Sequence, residues 1–416
     1  MTIETTALTG QPPGDCILFA TADWDTPYWT NKQHTAVYLA KAGWRVLYVE
    51  SVGLRAPKVG SGTDWRRIVK RLWRGLRGPR QVEERIWVYS PLVIPFRHDH
   101  PWVRKFNQGW LSHTVGRFIR HHRFSQPMVW TYHPYVLETK AWLDRHPVSR
   151  TGHLVYHCVD DLAAIPGIDS QAFLKEERSL LAEADAVFTT SHALHEKCSA
   201  HNANVLNTPN VVDFGHFAQA HEPGVLPPEL ANVPRPRLVY AGALSDFKVN
   251  FSLLREVALA RPSWQVILIG SEREGQRDAE LAKLAELPNA HMLGHRPYEQ
   301  LPALLAFMDV GLLPTHVNEY TRSMFPMKYF EYLAAGLPVV STPLAFTRDH
   351  DAGLEVADSA SEFVSAVEAQ LAHGRFSLEQ SRQLVGDRTW EARLAGMLTA
   401  VQGKQRADNT QRTTDD

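Results

Sequence analysis

The sequence predicts an α/β protein made of two doubly wound domains in tandem. Short, nearly continuous apolar runs alternate with helical stretches along the whole chain, a pattern typical of parallel sheets that helices cover on both faces. About a dozen such runs are too many for one doubly wound sheet, and the 416 residues are enough for two domains. A proline-rich stretch near the middle of the chain marks the boundary between them.

The first half of the chain carries predicted strands rich in β-branched and aromatic residues. They begin at Cys16 (CILFATA), Arg45 (RVLYVE), Ile86 (IWVYSP), Met128 (MVWTYH), His153 (HLVYHCV) and Ala186 (AVFTTS). Between the first two lies the amphipathic segment KQHTAVYLAKAG, whose helix ends at Gly43. We assign residues 1–213 to an N-terminal Rossmann-like domain.

The second half repeats this pattern. Its predicted strands begin at Arg237 (RLVYAG), Trp264 (WQVILIG), Asn289 (NAHML), Asp309 (DVGLLP) and Leu337 (LPVVST). Residues 214–236 before them are predicted to be a linker, because prolines lack a backbone donor and resist helix formation. We assign residues 237–385 to a C-terminal Rossmann-like domain.

The end of the chain is predicted to form one more helix and a tail. In the helix, over residues 386–403, Trp390, Leu394 and Leu398 share one apolar stripe. Residues 404–416 are polar, and we expect them to be disordered.

Composition excludes several classes of protein. The 44 lysines and arginines balance 45 aspartates and glutamates, and a net charge of −1 argues against a protein that grips nucleic acid through phosphates. Cys16, Cys158 and Cys198 are too scattered to suggest a disulfide framework or a zinc site. The first residues lack the basic and apolar regions of a signal peptide, and no apolar run reaches the roughly 18–20 residues of a membrane span. We therefore expect a cytoplasmic protein.

The first strand-to-helix turn, residues 22–30 (ADWDTPYWT), contains no glycine. A dinucleotide site and a P-loop both need glycines where the backbone approaches phosphate, so neither is favoured. Asp23, Trp24 and Asp25 instead suit an acceptor sugar, because aromatic faces stack on C–H surfaces and carboxylates accept hydroxyl hydrogen bonds. The alternative is that Trp24 and Trp29 simply close the edge of the sheet.

Residues 326–341 (PMKYFEYLAAGLPVVS) carry the most informative pattern in the chain. Pro326 is predicted to start a helix that places Lys328 and Glu331 one turn apart and ends at Gly336. The free amides at such a helix start, near Met327, suit a diphosphate, and a carboxylate one turn further in can accept hydrogen bonds from both hydroxyls of a ribose.

This pattern closely resembles the donor-site signature of the group 1 glycosyltransferases of GT-B fold, in particular a bacterial exopolysaccharide branch. Further segments match in the expected order: Asn210–Asp213 with Phe217, YAGALSDFK from Tyr240, VILIG from Val266, LGHRPYEQLP from Leu293 and DVGLLP from Asp309. The resemblance implies two Rossmann-like domains facing a cleft, with the terminal helix crossing back to the N-terminal, acceptor-binding domain.

The resemblance also implies the substrate and the donor site. It implies a nucleotide-diphosphate sugar bound by the C-terminal domain, with neither a cofactor nor a catalytic metal. The implied donor-binding residues are Gly242, Lys248, Gly270, Arg296, Arg322, Met327, Lys328 and Glu331. Of these, Lys328 is the candidate to stabilise the leaving diphosphate.

Three departures from the family pattern leave retention or inversion at the anomeric carbon open. Retaining members usually carry a second glutamate eight positions before the ribose-binding one, where this chain has Ser323, and Glu319 lies four residues too early. The glycine-rich first turn is missing. An arginine expected soon after Gly242 is also missing, which leaves Lys248 as the cation of that loop.

An inverting reaction needs a base for the acceptor hydroxyl. Asp160 and Asp161 come just after a buried strand, where ligands bind in such sheets. We favour Asp160 because it comes first, and expect the other aspartate to cap a helix or meet solvent. Asp23 and Asp25 are competing candidates, and His133 could bind a sugar or be structural.

Residues 65–80 (WRRIVKRLWRGLRGPR) combine basic and apolar residues without an acid. Such an amphipathic helix suits an anionic membrane surface, and would hold the protein peripherally on the inner face of the cell membrane. The alternative is a surface helix whose apolar stripe packs inward.

These observations predict a glycosyltransferase that moves a sugar from a nucleotide-diphosphate donor to a glycan or lipid-linked saccharide acceptor. One alternative is a nucleotide-sugar 2-epimerase on the same scaffold, which would consume donor without an acceptor. The other is a non-catalytic two-domain ligand-binding protein, which would not need the pair formed by Lys328 and Glu331.

Overall fold

The computed structural model describes residues 14–26, 29–51, 75, 78–92, 101–272 and 278–414. Within these residues the chain forms two sheets, and each sheet has a hydrophobic core on both of its faces. The predicted architecture of two doubly wound domains is confirmed.

The first sheet lies in the N-terminal half. Its strands are β1 (Asp15–Phe19), β2 (Arg45–Val49), β3 (Arg80–Glu83), β4 (Ile86–Tyr89), β5 (Met128–Thr131), β6 (Leu154–Cys158), β7 (Ala186–Thr189) and β8 (Val205–Asn207). Their order is β3-β4-β2-β1-β5-β6-β7-β8. Neighbouring strands are parallel except for β3 and β4.

Helices cover both faces of this sheet. They are α1 (Asn31–Lys41), α2 (Pro101–His122), α3 (Leu137–Asp144), α4 (Ser170–Glu183) and α5 (His192–Ser199). Side chains of a strand point alternately to the two faces, so Cys16 and Leu18 of β1 join one core while Ile17 and Phe19 join the other.

The second sheet is parallel throughout. Its strands are β9 (Arg237–Ala241), β10 (Gln265–Ile269), β11 (Ala290–Gly294), β12 (Val310–Leu313), β13 (Val339–Ser341) and β14 (Leu354–Val356), in the order β11-β10-β9-β12-β13-β14. The helices after the first sheet are α6 (Phe214–Phe217), α7 (Phe251–Ala260), α8 (Ala279–Ala285), α9 (Leu301–Leu305), α10 (Lys328–Ala334), α11 (Ala360–His373), α12 (Leu378–Val385) and α13 (Trp390–Thr414).

The structure adds three strands that the sequence pattern does not predict. Strands β3, β8 and β14 are short, end their sheets and are largely exposed. Edge strands need no continuous apolar run, because one side faces water, so the signal used for the buried strands is absent from them.

The segment 214–236, predicted to be a linker, packs onto the second domain. Phe217, Leu230 and Val233 are buried in the core of that domain. The Arg237 guanidinium donates hydrogen bonds to the carbonyl oxygens of Leu230 and Val233. The proline-rich segment is therefore an ordered part of the second domain that leads into β9.

Helix α13 crosses back to the first domain, as predicted. The Trp390 ring stacks on the His34 ring of α1, with ring centroids 4.8 Å apart and an angle of 16° between the ring planes. Leu394 and Leu398 are buried in the same core as β1. The helix continues through Thr414, past residue 403 where the crossover helix is predicted to end and a disordered tail to begin.

Each sheet reverses its strand order beside its first strand, between β1 and β5 and between β9 and β12. Ligands of doubly wound sheets bind outside the carboxyl ends of the strands at such points. In the part of the chain that the structure describes, no helix has the length and apolar character needed to cross a membrane.

Candidate active site

Asp160 lies two residues beyond β6 and contacts the second domain. Tyr320 Oη donates a hydrogen bond of 2.8 Å to Asp160 Oδ1. Lys248 Nζ donates in turn to Tyr320 Oη at 3.0 Å. On the first domain, Lys32 Nζ lies 3.7 Å from Asp160 Oδ2, and the two side chains are 8% and 26% exposed. A carboxylate, a phenol and two cations therefore meet where the domains face each other.

Asp161 points away from this meeting point. Its Oδ1 pairs with Lys197 Nζ at 2.9 Å, and the same ammonium lies 2.8 Å from Glu177 Oε2. The side chains of the two adjacent aspartates therefore point in different directions, as predicted. Asp160 faces the second domain, and Asp161 joins an ion-pair cluster within the first.

Gly242 follows β9 directly and lies beneath Lys328. Its φ of +156° favours glycine, and a Cβ atom there would collide with Lys328 Cε and lie 2.7 Å from Nζ. The Gly242 amide donates to the Ile269 carbonyl oxygen at 2.8 Å, which fixes the loop against β10. The loop and the start of α10 thus place a cation directly over the buried backbone of Gly242.

Lys328 and Glu331 share one face of α10 and are both partly buried. Burial lowers the pKa of Lys328, and the charge of Glu331 partly offsets this effect. Burial likewise raises the pKa of Glu331, and Lys328 opposes the rise. Each charge therefore depends on the other, and a bound anion near Lys328 would stabilise its charged form. Met327 precedes the helix, with its Sδ 3.9 Å from Asn31 Nδ2 of the first domain.

The other predicted donor residues lie around the same edge of the second sheet. Gly270 follows β10 and donates its amide to the Gly294 carbonyl oxygen at 2.9 Å. Arg296 forms an ion pair of 3.0 Å with Glu229. Arg322 is exposed on the short helical turn Thr321–Ser323. Arg296 is therefore already bound to a carboxylate, whereas Lys248 belongs to the cluster around Asp160.

Ser323 occupies the position where retaining relatives usually have a glutamate. Its side chain is buried, and Oγ donates to the Tyr320 carbonyl oxygen at 3.0 Å. Glu319 is exposed on the loop before it. The serine thus stabilises the turn that holds Tyr320 and brings no carboxylate to this position.

The tryptophans of the first turn pack against other rings. The Trp29 ring stacks on the Tyr298 ring of the second domain, with centroids 5.6 Å apart and an angle of 12° between the ring planes. The centroids of the Trp29 and Trp24 rings are 6.1 Å apart. The Trp24 amide donates to Glu50 Oε1 at 2.8 Å. This arrangement agrees with the alternative in which both tryptophans close the edge of the sheet, and it adds a contact between the domains.

The aspartates of this turn are engaged as well. The Asp23 carbonyl oxygen accepts a hydrogen bond from Gln33 Nε2 at 3.0 Å. Asp25 Oδ2 forms an exposed ion pair of 2.8 Å with Arg80 Nη2. Neither contact involves the second domain, in contrast to Asp160.

Two histidines near the cleft are fully enclosed. His133 is 2% exposed, burial lowers its pKa to about 4, and its Nδ1 has no hydrogen-bond partner among the described residues. His157 lies in β6 between Tyr132 Oη and Arg393 Nη2, each 3.1 Å from a ring nitrogen. Burial lowers the pKa of His157 as well. Both rings are therefore neutral near pH 7.

A buried polar network holds the two domains together beside α10. Asn210 Nδ2 donates to the Phe325 carbonyl oxygen at 2.5 Å, and Asn31 Nδ2 donates to Asn210 Oδ1 at 3.0 Å. Arg393 of the crossover helix donates to Asn31 Oδ1 at 2.7 Å. Three separate parts of the chain thus fix the position of the Lys328 helix relative to the first domain.

Comparison with known proteins points to one kind of enzyme. Residues 235–373 match the family model for glycosyl transferases group 1, and this range includes every predicted donor-binding residue. Over 210 residues the chain is 29% identical to the putative teichuronic acid biosynthesis glycosyltransferase TuaH of Bacillus subtilis (strain 168). That alignment covers 47% of this chain and 51% of TuaH, about half of each.

Solved structures match almost the whole chain. Sucrose-phosphate synthase from Thermosynechococcus elongatus has a TM-score of 0.67 at 15% identity, with 96% of this chain and 100% of that chain covered. HepE from Anabaena in complex with UDP and glucose has a TM-score of 0.63 at 16% identity, with 92% and 99% covered. The fold is GT-B. The predicted resemblance to group 1 glycosyltransferases is confirmed.

The GT-B cleft also contains residues that the sequence analysis does not single out. Lys32 begins the predicted amphipathic segment KQHTAVYLAKAG, and Tyr320 lies in a loop without a distinctive pattern. Only the fold brings the two side chains to Asp160. Glu50 does carry a signal, because it is the last residue of the predicted strand RVLYVE. It is 2% exposed and accepts hydrogen bonds from the Trp24 amide and Ser90 Oγ, so it holds the first turn in place.

Proposed function

We propose that this protein is a glycosyltransferase that moves a sugar from a nucleotide-diphosphate donor to a glycan or lipid-linked saccharide acceptor. One observation carries the proposal: Lys328 lies over Gly242 at the carboxyl edge of the second sheet, one helical turn from Glu331. The match to the group 1 family model covers the same residues and supports the assignment.

The donor occupies the second domain in this proposal. Glu331 accepts hydrogen bonds from the ribose hydroxyls, and Lys328 lies against the diphosphate above Gly242. As the bond between the anomeric carbon and the diphosphate breaks, negative charge grows on the leaving oxygen. A partly buried ammonium stabilises that charge more strongly than water would. The positive charge comes from the chain itself, and the proposal requires no metal or cofactor.

The acceptor occupies the first domain. An acceptor hydroxyl oxygen attacks the anomeric carbon, its proton passes to Asp160, and the nucleoside diphosphate leaves with the bonding electrons. The position of Asp160 at the face of the second domain supports this role, and Lys32 keeps a positive charge near its carboxylate. This sequence of events inverts the anomeric centre. Ser323, in place of the usual second glutamate, agrees with that outcome.

Relatives guide the choice of donor and acceptor. HepE has been solved with UDP and with UDP-glucose, which makes uridine the first nucleotide to test. TuaH is described as a teichuronic acid biosynthesis enzyme, which supports a polysaccharide precursor as acceptor. We further propose that the protein works in the cytoplasm, peripherally on the inner face of the cell membrane. The basic segment 65–80 that first suggested this lies mostly outside the described residues.

The proposal is tested in two steps. Thermal unfolding with a panel of nucleoside diphosphates should show stabilisation by one base, because a ligand that binds only the folded state raises the midpoint. The matching nucleotide sugars are then followed by chromatography with and without saccharide acceptors. Acceptor-dependent release of the diphosphate supports a transferase. Donor consumption without acceptor would indicate the epimerase, and binding without consumption would indicate a non-catalytic protein.

A further inference from the structure

Helix α2 exposes a row of aromatic rings on its outer face. Trp102, Phe106 and Trp110 are 62%, 39% and 37% exposed. The centroids of successive rings are 5.9 and 6.4 Å apart, and the ring planes differ by only 21° and 23°. A spacing of four residues puts all three on one side of the helix. A contiguous exposed aromatic row marks a surface that something else covers.

The buried side of α2 lies opposite the aromatic row. The opposite side of α2 supplies the packing, because Leu111, Val115, Phe118 and Ile119 are buried in the core beneath the first sheet. The outer rings lie on the side of the helix that faces away from this core.

Positive charge continues the same face. Lys105 lies beside the aromatic row, and Arg117 and Arg120 extend the face towards the end of the helix. All three side chains are exposed, and the sequence of α2 contains no aspartate or glutamate. The outer face thus combines large rings with cations, which is the composition of helices that lie in the surface of an anionic bilayer.

The aromatic row lies at the edge of the first domain where the cleft loops begin. Gln108 Nε2 donates to Thr139 Oγ1 at 3.1 Å and contacts the Tyr135 carbonyl oxygen at 3.5 Å. Tyr135 follows the carboxyl end of β5 and is itself 37% exposed. The row is therefore at the same edge of the sheet as Asp160.

We propose that the outer face of α2 docks this protein onto an anionic lipid bilayer. The rings would enter the headgroup region while the cations contact lipid phosphates. A second copy of the chain fits this face less well, because a symmetric contact through α2 would bring its cations together. The docking deepens the membrane association proposed above, because it names the surface that makes the contact. Its consequence, that a lipid-linked acceptor reaches the cleft from this edge, rests on the proposed function.

The experiment is sedimentation of the full-length protein with vesicles. We expect binding to vesicles of phosphatidylglycerol and phosphatidylcholine at low salt, and little binding to pure phosphatidylcholine. The triple variant Trp102→Ala, Phe106→Ala, Trp110→Ala should bind at least about tenfold more weakly, and Arg117→Glu with Arg120→Glu should also weaken binding. The control is Leu259→Ala, Met292→Ala, Val356→Ala, which removes exposed apolar side chains from the second domain and should bind like wild type.

Three outcomes would overturn the proposal. In the first, wild-type protein ignores anionic vesicles. In the second, the triple variant binds them as well as wild type, and charge reversal at Arg66, Arg67, Lys70 and Arg71 abolishes binding, which assigns docking to segment 65–80 alone. In the third, ultracentrifugation finds a wild-type dimer that the triple variant dissociates. Nucleoside diphosphate binding by the triple variant should stay normal, so failure of the reaction and failure of docking can be told apart.

Discussion

Tyr320 Oη donates a hydrogen bond of 2.8 Å to Asp160 Oδ1 and so joins the candidate base of the first domain to the loop before α10 in the second. Because Lys248 Nζ donates to the same phenol oxygen, the contact also reaches the loop after β9. The position of the base is therefore coupled to the two loops that would hold the donor.

Removing the phenol hydroxyl should separate Asp160 from the donor domain. Tyr320→Phe keeps the ring but loses the hydrogen bond to the carboxylate, which then keeps only its 3.7 Å ion pair with Lys32 among the contacts described above. Hydrogen bonds to charged groups contribute about 1.5 kcal/mol or more, so we expect a roughly tenfold lower kcat. Tyr329→Phe is the matched control, because its hydroxyl donates to the Ala352 carbonyl oxygen at 2.8 Å, within the second domain. Equal rates for both variants would show that Tyr320 does not orient the base.

Substitutions at Asp160 and Asp161 should have different effects, one on the transfer rate and the other on the free energy of unfolding. Asp160→Asn cannot accept a proton and should lower transfer by about 10²–10⁴-fold with nearly normal nucleotide affinity. Asp161→Asn breaks a partly exposed ion pair with Lys197 and should cost up to about 1 kcal/mol of unfolding free energy with little effect on rate. Steady-state kinetics and chemical unfolding measure the two effects. Normal rates in both variants would direct attention to Asp23, to Asp25 or to a retaining reaction.

Lys328→Ala should remove stabilisation that grows as the diphosphate leaves. We expect kcat to fall by about 10²-fold or more, with a smaller change in donor affinity. Lys283→Ala, at an exposed lysine on α8, is the control and should leave both constants unchanged. A loss in donor affinity equal to the loss in kcat would mean that Lys328 binds ground state and transition state equally.

Glu331→Ala should weaken nucleoside diphosphate binding through the ribose. The expected loss is about 1.5–3 kcal/mol, which is typical of hydrogen bonds to a charged group. Titration calorimetry measures this loss of affinity. Glu368→Ala is the control, because that glutamate forms an exposed ion pair with Arg261. Unchanged affinity would remove Glu331 from the donor site.

His133 should make the protein less stable in acid. Burial lowers its pKa to about 4, below its value in the unfolded chain, so protonation favours unfolding. This part of the stability is complete above about pH 6.5 and is lost as the pH falls towards 4. Between about pH 7.5 and pH 5 the loss is about 2 kcal/mol.

A neutral residue at position 133 tests this assignment. His133→Gln should reduce the pH dependence of the unfolding free energy by that amount, whereas His201→Gln, at an exposed position, should not change it. Identical pH dependence in wild type and His133→Gln would mean that His133 is protonated as easily in the folded protein as in the unfolded chain.

The sequence by itself determined the buried strands and the architecture. Residues 326–341 also placed Lys328 and Glu331 together, because three residues on a helix fix the spacing of two side chains whatever surrounds them. The same holds for the buried strands of both sheets, where apolar residues must face helices on both sides. Local sequence was sufficient wherever the geometry is set within one element.

Only the tertiary structure decided which groups meet across the cleft. Asp160 is separated from Tyr320 by 160 residues of chain, and from Lys32 by most of the first domain. The tertiary structure also showed that Arg296 is paired with Glu229 and that Trp29 stacks on Tyr298. It further showed that α2 turns its aromatic row outward. Such contacts depend on how two separately folded sheets are oriented, and no local pattern of residues encodes that orientation.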